Sequence, residues 1–408
     1  MRRGCTRCCA SIVQGVLIIP SPCGWPMPTC AGAQVDRVIT RAHRILLVLP
    51  SLDRGGGERV LLQLAESFVA EGREVHVAAL LGGGPLRSAV PAAVTLHELI
   101  DAVDAPKGLA LAWKALPRLA SLIRTVKPHA VLSTITGTNL LTVLACMHAR
   151  MRMRLVLREA SSLVNTKSAL KRQAMRWLYK RADGLVAVSE GVAQDLHGLG
   201  LADDRIHVIR NPVDVERLRQ LAIADLPAAV QDKAPYIVSL GRLTEAKDFP
   251  TLLQAYAISA LRSSHRLVIV GGGEQRASLE DVVRNLGLTD RVVFTGAMDN
   301  PYRVLAEADL HVLSSRWEGY PNVLLEALAL GVSVVSTDCP HGPREILECG
   351  HYGRLSPVGD AAALTGAMDA ELAQPSPRGD AVIAAHSPQV IASRYLALLD
   401  GGAGVLQS

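Results

Sequence analysis

The chain has 408 residues, of which 49% are hydrophobic, 20% charged and only 3% aromatic. That length favours two domains, and the composition holds enough apolar side chains to exclude a wholly disordered chain. The formal charge of +5 is small for a nucleic-acid-binding protein, so no nucleic-acid partner is predicted.

The first 42 residues hold five of the eight cysteines and show no periodic pattern. We interpret residues 1–42 as a disordered N-terminal extension, with an over-called start site or a secretory signal as alternatives. Three cysteines remain in the body of the chain, which is typical of a reduced, cytoplasmic protein. No apolar run is long enough to predict a helix that spans a membrane.

From residue 44 onward, short apolar runs alternate with amphipathic segments, which is the pattern of a parallel sheet covered by helices on both faces. Strands are predicted at 45–49, 75–80, 130–134, 155–158, 185–189 and 206–209, and helices at 58–71, 109–126 and 169–181. Gly55-Gly56-Gly57-Glu58 follows the first strand. Gly56 and Gly57 would let the backbone approach an anionic ligand at a helix N-terminus, although a tight turn explains them equally well.

The alternation breaks at Asn211-Pro212-Val213-Asp214 and restarts near residue 236. Strands are predicted there at 236–240, 266–270, 292–295, 310–314 and 332–336, and helices at 251–260, 278–286, 302–308, 323–330 and 388–399. The fold class is therefore α/β, with two doubly wound, Rossmann-like domains that face a cleft. We expect the domains to cover residues 43–212 and 213–385, followed by a terminal helix within 386–408.

Two cations follow the first strand of the second domain, in Gly241-Arg242-Leu243 and at Lys247. An arginine and a lysine at the carboxyl end of a strand suit a diphosphate, and their charge would stabilise a departing nucleoside diphosphate. A solvated turn is the alternative interpretation. A second glycine turn, which contains Gly272, is expected at the same edge of the sheet.

Glu318 and Glu326 lie eight positions apart around Gly319-Tyr320-Pro321-Asn322-Val323. Asn322 is predicted to cap the following helix, which would place Glu326 in its first turn. A carboxylate there would accept ligand hydroxyl groups, or it would only complement the helix dipole.

These segments together resemble the E-x7-E region of the family-4 glycosyltransferases, and the resemblance extends over roughly residues 43–400. It implies the GT-B fold and a retaining transfer from a nucleotide-activated sugar, with no cofactor and usually no catalytic metal. The chain also lacks the Asp-x-Asp motif of the other major glycosyltransferase fold. The terminal helix is expected to cross back to the first domain.

The resemblance also implies roles for single residues. Arg242 and Lys247 would bind the diphosphate, Glu326 the ribose hydroxyls, and Glu318 would face the donor sugar. The backbone of residues 319–323 would contact sugar and phosphate, and Gly56 and Gly57 would close over the donor.

The chain departs from the pattern at residues 134–139, where several family members carry a histidine or an acidic residue in a loop. Proton removal from the acceptor would then fall to the leaving phosphate or to another group. Glu159 is a candidate for acceptor binding or for a general base, with a structural ion pair as the alternative.

A cationic series runs along residues 167–181, and Arg150, Arg152 and Arg154 precede it. It is either a solvated helix face or a contact for an anionic membrane or a phosphorylated acceptor.

We therefore predict a cytoplasmic hexosyltransferase, peripheral at the inner face of the cell membrane. It would move a hexose or N-acetylhexosamine from a UDP-sugar to a lipid-linked glycan of lipopolysaccharide, capsule or exopolysaccharide. The alternatives are a UDP-sugar 2-epimerase of the same fold and a non-catalytic subunit that binds nucleotide sugars.

Overall fold

Seven parallel strands form the first sheet of the chain, in the order β3-β2-β1-β4-β5-β6-β7. A computed structural model describes residues 44–402 except 104, 105, 107, 164, 165, 167 and 232–234, so the extension predicted at 1–42 lies outside the described residues. The strands are β1 (Arg44–Leu49), β2 (Glu74–Leu81), β3 (Thr95–Ile100), β4 (Ala130–Thr134), β5 (Arg154–Glu159), β6 (Gly184–Ala187) and β7 (Ile206–Val208).

Helices cover both faces of this sheet, because alternate side chains of its buried strands point to opposite sides. Leu46 and Val48 of β1 belong to the core under α2, α3 and α4, whereas Ile45 and Leu47 belong to the core under α1. The helices are α1 (Gly56–Ala70), α2 (Leu109–Val126), α3 (Thr136–Ala149), α4 (Ala169–Leu178) and α5 (Glu190–Gly198). The next helix, α6 (Val215–Leu221), packs against helices of the second sheet.

A second sheet of six parallel strands has the order β10-β9-β8-β11-β12-β13. Its strands are β8 (Tyr236–Leu240), β9 (Arg266–Val270), β10 (Val292–Gly296), β11 (Leu310–Leu313), β12 (Ser333–Thr337) and β13 (Arg354–Ser356). Its helices are α7 (Phe249–Ile258), α8 (Arg276–Asn285), α9 (Tyr302–Ala306), α10 (Asn322–Ala329), α11 (Pro343–Ile346), α12 (Ala361–Ala373) and α13 (Asp380–Ala385). The predicted fold class, two doubly wound parallel sheets with flanking helices, is confirmed.

The last helix, α14 (Pro388–Leu399), packs on the first sheet rather than the second. Ile391, Tyr395 and Leu398 are fully or almost fully buried in the same core as Ile45 of β1. Arg154 of β5 donates a hydrogen bond to the backbone carbonyl of Leu398. Arg154 therefore binds the terminal helix, so its guanidinium does not belong to the cationic surface predicted from the sequence.

Several elements were not predicted, for identifiable reasons. Strand β3 pairs only with β2, and only its last residue is buried, so it lacks a continuous apolar run. Helix α3 starts in Thr136-Gly137-Thr138-Asn139, residue types with weak helix propensity, and we predicted a loop there. Strand β13 has three residues, too few to show a period.

Within the described ranges, no helix combines the length and the apolar character needed to cross a lipid bilayer. The described cysteines, Cys146, Cys339 and Cys349, are free thiols.

Candidate functional site

Both sheets reverse their strand order at one point, and the candidate residues follow the strands that flank these points. The order turns between β1 and β4 in the first sheet and between β8 and β11 in the second. Ligands of doubly wound sheets bind in the crevice at the carboxyl ends of such strands. Gly56 and Gly57 follow β1, Arg242 follows β8 and Glu318 follows β11.

The glycine turns after β8 and β9 fit against each other backbone to backbone. A Cβ on Gly271 would lie 1.8 Å from the Gly241 carbonyl oxygen, and a Cβ on Gly273 would lie 2.4 Å from that of Leu243. The Gly272 carbonyl accepts a hydrogen bond from the Leu243 amide at 2.9 Å. Side chains are thus excluded by close approach, which fixes the backbone that carries Arg242.

Lys247 and Glu318 form an ion pair in which Nζ lies 2.6 Å from Oε1. Ser315 Oγ donates a second hydrogen bond of 2.6 Å to the same carboxylate oxygen. Arg242 is exposed and makes no hydrogen bond or ion pair with any described residue. The site therefore holds one cation that is paired with a carboxylate and one exposed cation that can bind an anion.

Glu58 is a buried carboxylate that sequence reasoning missed, and its pKa responds to Arg242 of the other domain. Burial raises the pKa of Glu58, while a hydrogen bond from its own backbone amide and the charge of Arg242 lower it. The carboxylate folds back over Gly55, where a Cβ would lie 1.8 Å from Oε2. The three glycines directly before Glu58 were a signal that this side chain reaches the start of α1.

Glu326 lies in the second turn of α10, because the helix starts at Asn322 and has no acidic residue in its first turn. The predicted first-turn position is therefore wrong. Burial raises the pKa of the Glu326 carboxyl, and the charge of Arg59 opposes that shift. Tyr302 donates a hydrogen bond of 3.1 Å to Glu326 Oε1. The carboxylate therefore keeps its other oxygen for a ligand hydroxyl.

Asn322 is the first helical residue of α10 and not its cap, which corrects the prediction made for it; Pro321 holds the cap position. The Asn322 side chain instead accepts a hydrogen bond of 2.6 Å from Asn211. Asn211 in turn accepts one of 2.6 Å from Arg158 at the end of β5. These contacts join the two domains.

The first residues of α1 face the start of α10 across the two sheets. A Cβ on Gly56 would lie 3.5 Å from Asn322 Nδ2, and one on Gly57 would lie 3.6 Å from Ile135 Cδ1. The N-terminus of α1 therefore lies close to the start of α10, and a helix N-terminus stabilises a negatively charged ligand. Ile135 has a φ of 71°, a strained value for a β-branched residue.

The segment 319–323 contacts protein on several sides. A Cβ on Gly319 would lie 2.2 Å from the Ala160 carbonyl oxygen, so this glycine permits contact with the first domain. The Tyr320 side chain is buried and its hydroxyl lies 2.6 Å from His386 Nε2. Pro321 is buried and Val323 is half-buried.

Glu159 is 1% exposed, and both of its carboxylate oxygens are occupied. Thr136 donates to Oε1 at 2.9 Å and Tyr179 donates to Oε2 at 2.8 Å. Burial raises the pKa of Glu159. The expected ion pair is absent among the described residues, because Arg158 turns instead to Thr134 and Asn211.

In the part of the chain that the structure describes, no three His, Cys, Asp or Glu side chains are grouped as metal ligands.

Two family models cover most of the chain between them. The model described as Glycosyltransferase Family 4 matches residues 54–217, and the model described as Glycosyl transferases group 1 matches residues 227–386. The junction between the two matches falls in the segment that separates the two sheets.

Among the similar proteins, one is named for a transfer reaction and another for a biosynthetic pathway. The Campylobacter jejuni N-acetylgalactosamine-N,N'-diacetylbacillosaminyl-diphospho-undecaprenol 4-alpha-N-acetylgalactosaminyltransferase is 28% identical over 327 residues, 78% of this chain and 86% of the relative. The Rhizobium meliloti lipopolysaccharide core biosynthesis glycosyltransferase LpsE is 32% identical over 228 residues, 54% of this chain and 65% of the relative.

Among solved structures, the Anabaena protein HepE in complex with UDP-glucose superimposes with a TM-score of 0.68 at 20% sequence identity. The match covers 88% of this chain and 98% of that chain. It supports the same fold across both sheets.

Proposed function

The chain belongs to the family-4 glycosyltransferases of the GT-B fold, and we propose that it transfers a hexose or N-acetylhexosamine from a UDP-sugar, with retention of configuration, to a lipid-linked glycan of the cell surface. The observation that carries this proposal is the set of charges at the switch point of the second sheet. Arg242 is exposed there and has no hydrogen bond or ion pair with any described residue, and Lys247 is paired with Glu318.

Charge build-up on the leaving group explains why these residues suit the reaction. When the bond between sugar and diphosphate breaks, negative charge grows on the phosphate oxygens. Arg242, Lys247 and the N–H groups at the start of α1 supply positive charge at that position, which lowers the barrier. The reaction as proposed uses no resident cofactor, and the UDP-sugar is a substrate.

Recognition of the nucleoside falls to Glu326 in this proposal. Its carboxylate is half-buried, and Tyr302 occupies only one of its two oxygens. A carboxylate accepts hydrogen bonds from vicinal hydroxyl groups. In this proposal, Glu326 Oε2 therefore accepts hydrogen bonds from the ribose hydroxyls of the donor. The backbone of Gly319 to Val323, with Gly56, Gly57, Gly241 and Gly272, completes the proposed donor site.

Retention by a front-face route requires no protein base, because the departing phosphate takes the proton of the acceptor hydroxyl. The surroundings of Glu159 agree with that route, since both of its oxygens already accept hydrogen bonds. We therefore assign Glu159 to the support of Thr136 and Tyr179 and not to acceptor chemistry.

The names of these relatives support the choice of acceptor. The C. jejuni relative is named for transfer to a diphospho-undecaprenol-linked sugar, and LpsE is named for lipopolysaccharide core biosynthesis. A lipid-linked acceptor would bring the enzyme to the membrane surface.

Peripheral contact with an anionic membrane is supported by exposed apolar side chains on α2 and α4. Leu109 and Trp113 are 81% and 80% exposed, and Leu170 and Trp177 are 81% and 53% exposed. Basic residues lie on or directly after α4: Lys171, Arg172, Arg176, Lys180 and Arg181. Lys167 lies outside the described residues. Tryptophan beside cations is typical of surfaces that bind the bilayer interface.

Donor binding and turnover test the proposal together. A panel of nucleotide sugars is screened for a rise in melting temperature, because a ligand that binds only the native state stabilises it. We expect a UDP-sugar to raise it and the Arg242→Ala, Lys247→Ala double variant to lose that rise. Equal stabilisation of wild type and double variant would contradict the site.

The rivals are separated by incubation with the donor that binds. A UDP-sugar 2-epimerase would produce a new UDP-sugar without any acceptor. A non-catalytic subunit would bind the donor but transfer nothing to a lipid extract. The proposed transferase makes a glycolipid product that depends on the acceptor.

A further inference from the structure

Arg59 of the first domain is linked to the Glu326 carboxylate by hydrogen bonds through the Tyr302 hydroxyl. Tyr302 of α9 donates a hydrogen bond to Glu326 Oε1 at 3.1 Å. Arg59 of α1 donates one to the Tyr302 hydroxyl oxygen at 3.2 Å. Tyr302 is 7% exposed, so the middle member of this Arg59–Tyr302–Glu326 relay is shielded from water.

We propose that Arg59 is a positioning residue for the nucleoside end of the donor. Acting through Tyr302, it fixes Glu326 Oε1 and leaves Oε2 directed at the ribose hydroxyls. The inference rests on the proposed function, in which Glu326 receives those hydroxyls.

The charge of Arg59 matters because Glu326 must be ionised to accept two hydroxyl hydrogen bonds. Burial raises the pKa of the Glu326 carboxyl, and both the Arg59 charge and the Tyr302 hydrogen bond lower it. Without Arg59, the carboxyl would stay protonated to a higher pH. A protonated carboxyl has one acceptor position fewer and no charge.

No other charged group among the described residues acts on Glu326 in this way. The elements packed against α10 are α6, α11, α13, β11 and β12, and α9 carries Tyr302. Their ionisable groups are Glu216, Arg217, Arg219, Arg303, His311, Arg344, Glu345 and Asp380. Arg217 pairs with Glu66, and Glu345 accepts from the backbone amides of Glu190 and Gly191.

The relay couples the approach of the two domains to nucleoside binding. Arg59 lies on the same helix as Gly56, whose backbone faces Asn322. When α1 is docked on the second domain, Arg59 prepares Glu326, and a bound nucleoside in turn favours the docked arrangement. That reciprocity is a property of any two linked equilibria.

UDP alone is a suitable probe, and the full chain is titrated calorimetrically near pH 6 and near pH 8.5. We expect Arg59→Gln to weaken UDP binding about tenfold at the lower pH and about threefold at the higher one. Arg59→Lys keeps the charge, so its affinity should change by the same factor at both pH values. The melting temperature of each variant checks that it is folded.

Arg217→Gln is the matched control. It removes an ion pair between α1 and a helix packed on the second domain, with Arg217 Nη1 2.9 Å from Glu66 Oε2. Arg217 has no effect on the pKa of Glu326, unlike Arg59. We expect its UDP affinity to stay within about twofold of wild type at both pH values.

Two outcomes would overturn the inference: unchanged UDP affinity in Arg59→Gln, or an equal loss at both pH values, which would mean a merely structural role. Glu326→Ala separates this failure from failure of the proposed function. If Glu326→Ala binds UDP like wild type, the donor site itself is wrong. If Glu326→Ala loses UDP and Arg59→Gln does not, only the relay is wrong.

Discussion

Lys247 and Glu318 are joined by a 2.6 Å ion pair, with 21% and 13% of their side chains exposed. A cation proposed to bind diphosphate is therefore paired with a carboxylate of the protein itself. In the proposed donor site, an incoming diphosphate would have to compete with the carboxylate for Lys247, and Glu318 would then set how tightly the product UDP is held.

Glu318→Gln should therefore bind UDP more tightly, by about three- to tenfold, because Lys247 loses its charged competitor. We also expect kcat to fall, since Glu318 is proposed to face the donor sugar. Titration calorimetry with UDP and initial-rate kinetics measure the two effects. Glu245→Gln is the control, because it removes the same charge from the exposed turn that carries Lys247. Weaker UDP binding in Glu318→Gln would contradict this account.

Gly319→Ala should slow transfer by about tenfold or more while the protein remains folded. The new Cβ would lie 2.2 Å from the Ala160 carbonyl oxygen, so the two domains would have to separate there. Steady-state kinetics and small-angle scattering measure both consequences. Gly137→Ala is the control, because a Cβ at that helical position meets nothing within 4 Å and should stabilise the protein by about 0.5–1 kcal/mol. Wild-type turnover in Gly319→Ala would show that the contact is dispensable.

Glu159→Gln tests whether the buried Glu159 carboxyl has a structural role. It also tests whether the stability of the protein depends on the titration of this carboxyl. Burial raises the pKa of Glu159 in the folded state. The native protein thus binds the proton more tightly than the unfolded chain, so this group stabilises the fold at low pH and loses that effect as pH rises through the folded-state pKa. Relative to wild type, the variant should gain stability as the pH rises from the ordinary carboxyl pKa through the raised folded-state pKa of Glu159.

Thermal unfolding across that pH range measures the effect of Glu159→Gln. A constant difference in melting temperature would contradict the expected titration. We also expect kcat to stay within about fivefold of wild type, whereas loss of a general base costs about 100-fold or more.

If α2 and α4 contact the membrane as proposed, the double variant Trp113→Ser, Leu170→Ser should lose binding to vesicles. Each side chain is about 80% exposed, so removing it should leave the fold intact. We expect at least tenfold weaker co-sedimentation with phosphatidylglycerol vesicles, because apolar burial at the interface is lost. Ile258→Ser, at a residue that is 65% exposed in the second domain, is the control. Equal binding by both variants would exclude this face.

The periodic patterns predicted most of both sheets, since buried parallel strands are continuous runs of Val, Ile and Leu. They missed β3 and α3, where edge position or a Thr- and Gly-rich start hides the period. At the site, the sequence indicated Arg242, Lys247, Glu318 and Glu326. It could not indicate that Lys247 and Glu318 pair, because their 71-residue separation closes only when β8 and β11 become neighbours.

Contacts between domains were hidden for the same reason. The Asn322 prediction failed because a partner 111 residues earlier, Asn211, engages a side chain whose type alone suggests a cap. Arg59 and Tyr302 carry no motif, and only the approach of α1 to α9 gives them a common role. Local propensity cannot report such contacts.

The return of α14 to the first sheet has a consequence for the order in which the chain folds during synthesis. The core beneath β1 needs Ile391, Tyr395 and Leu398, which leave the ribosome after every strand of the second sheet. The domain that is translated first is therefore completed last. Until then, one face of its sheet exposes apolar side chains, and a nascent chain stalled before residue 388 is a substrate for chaperones or proteases.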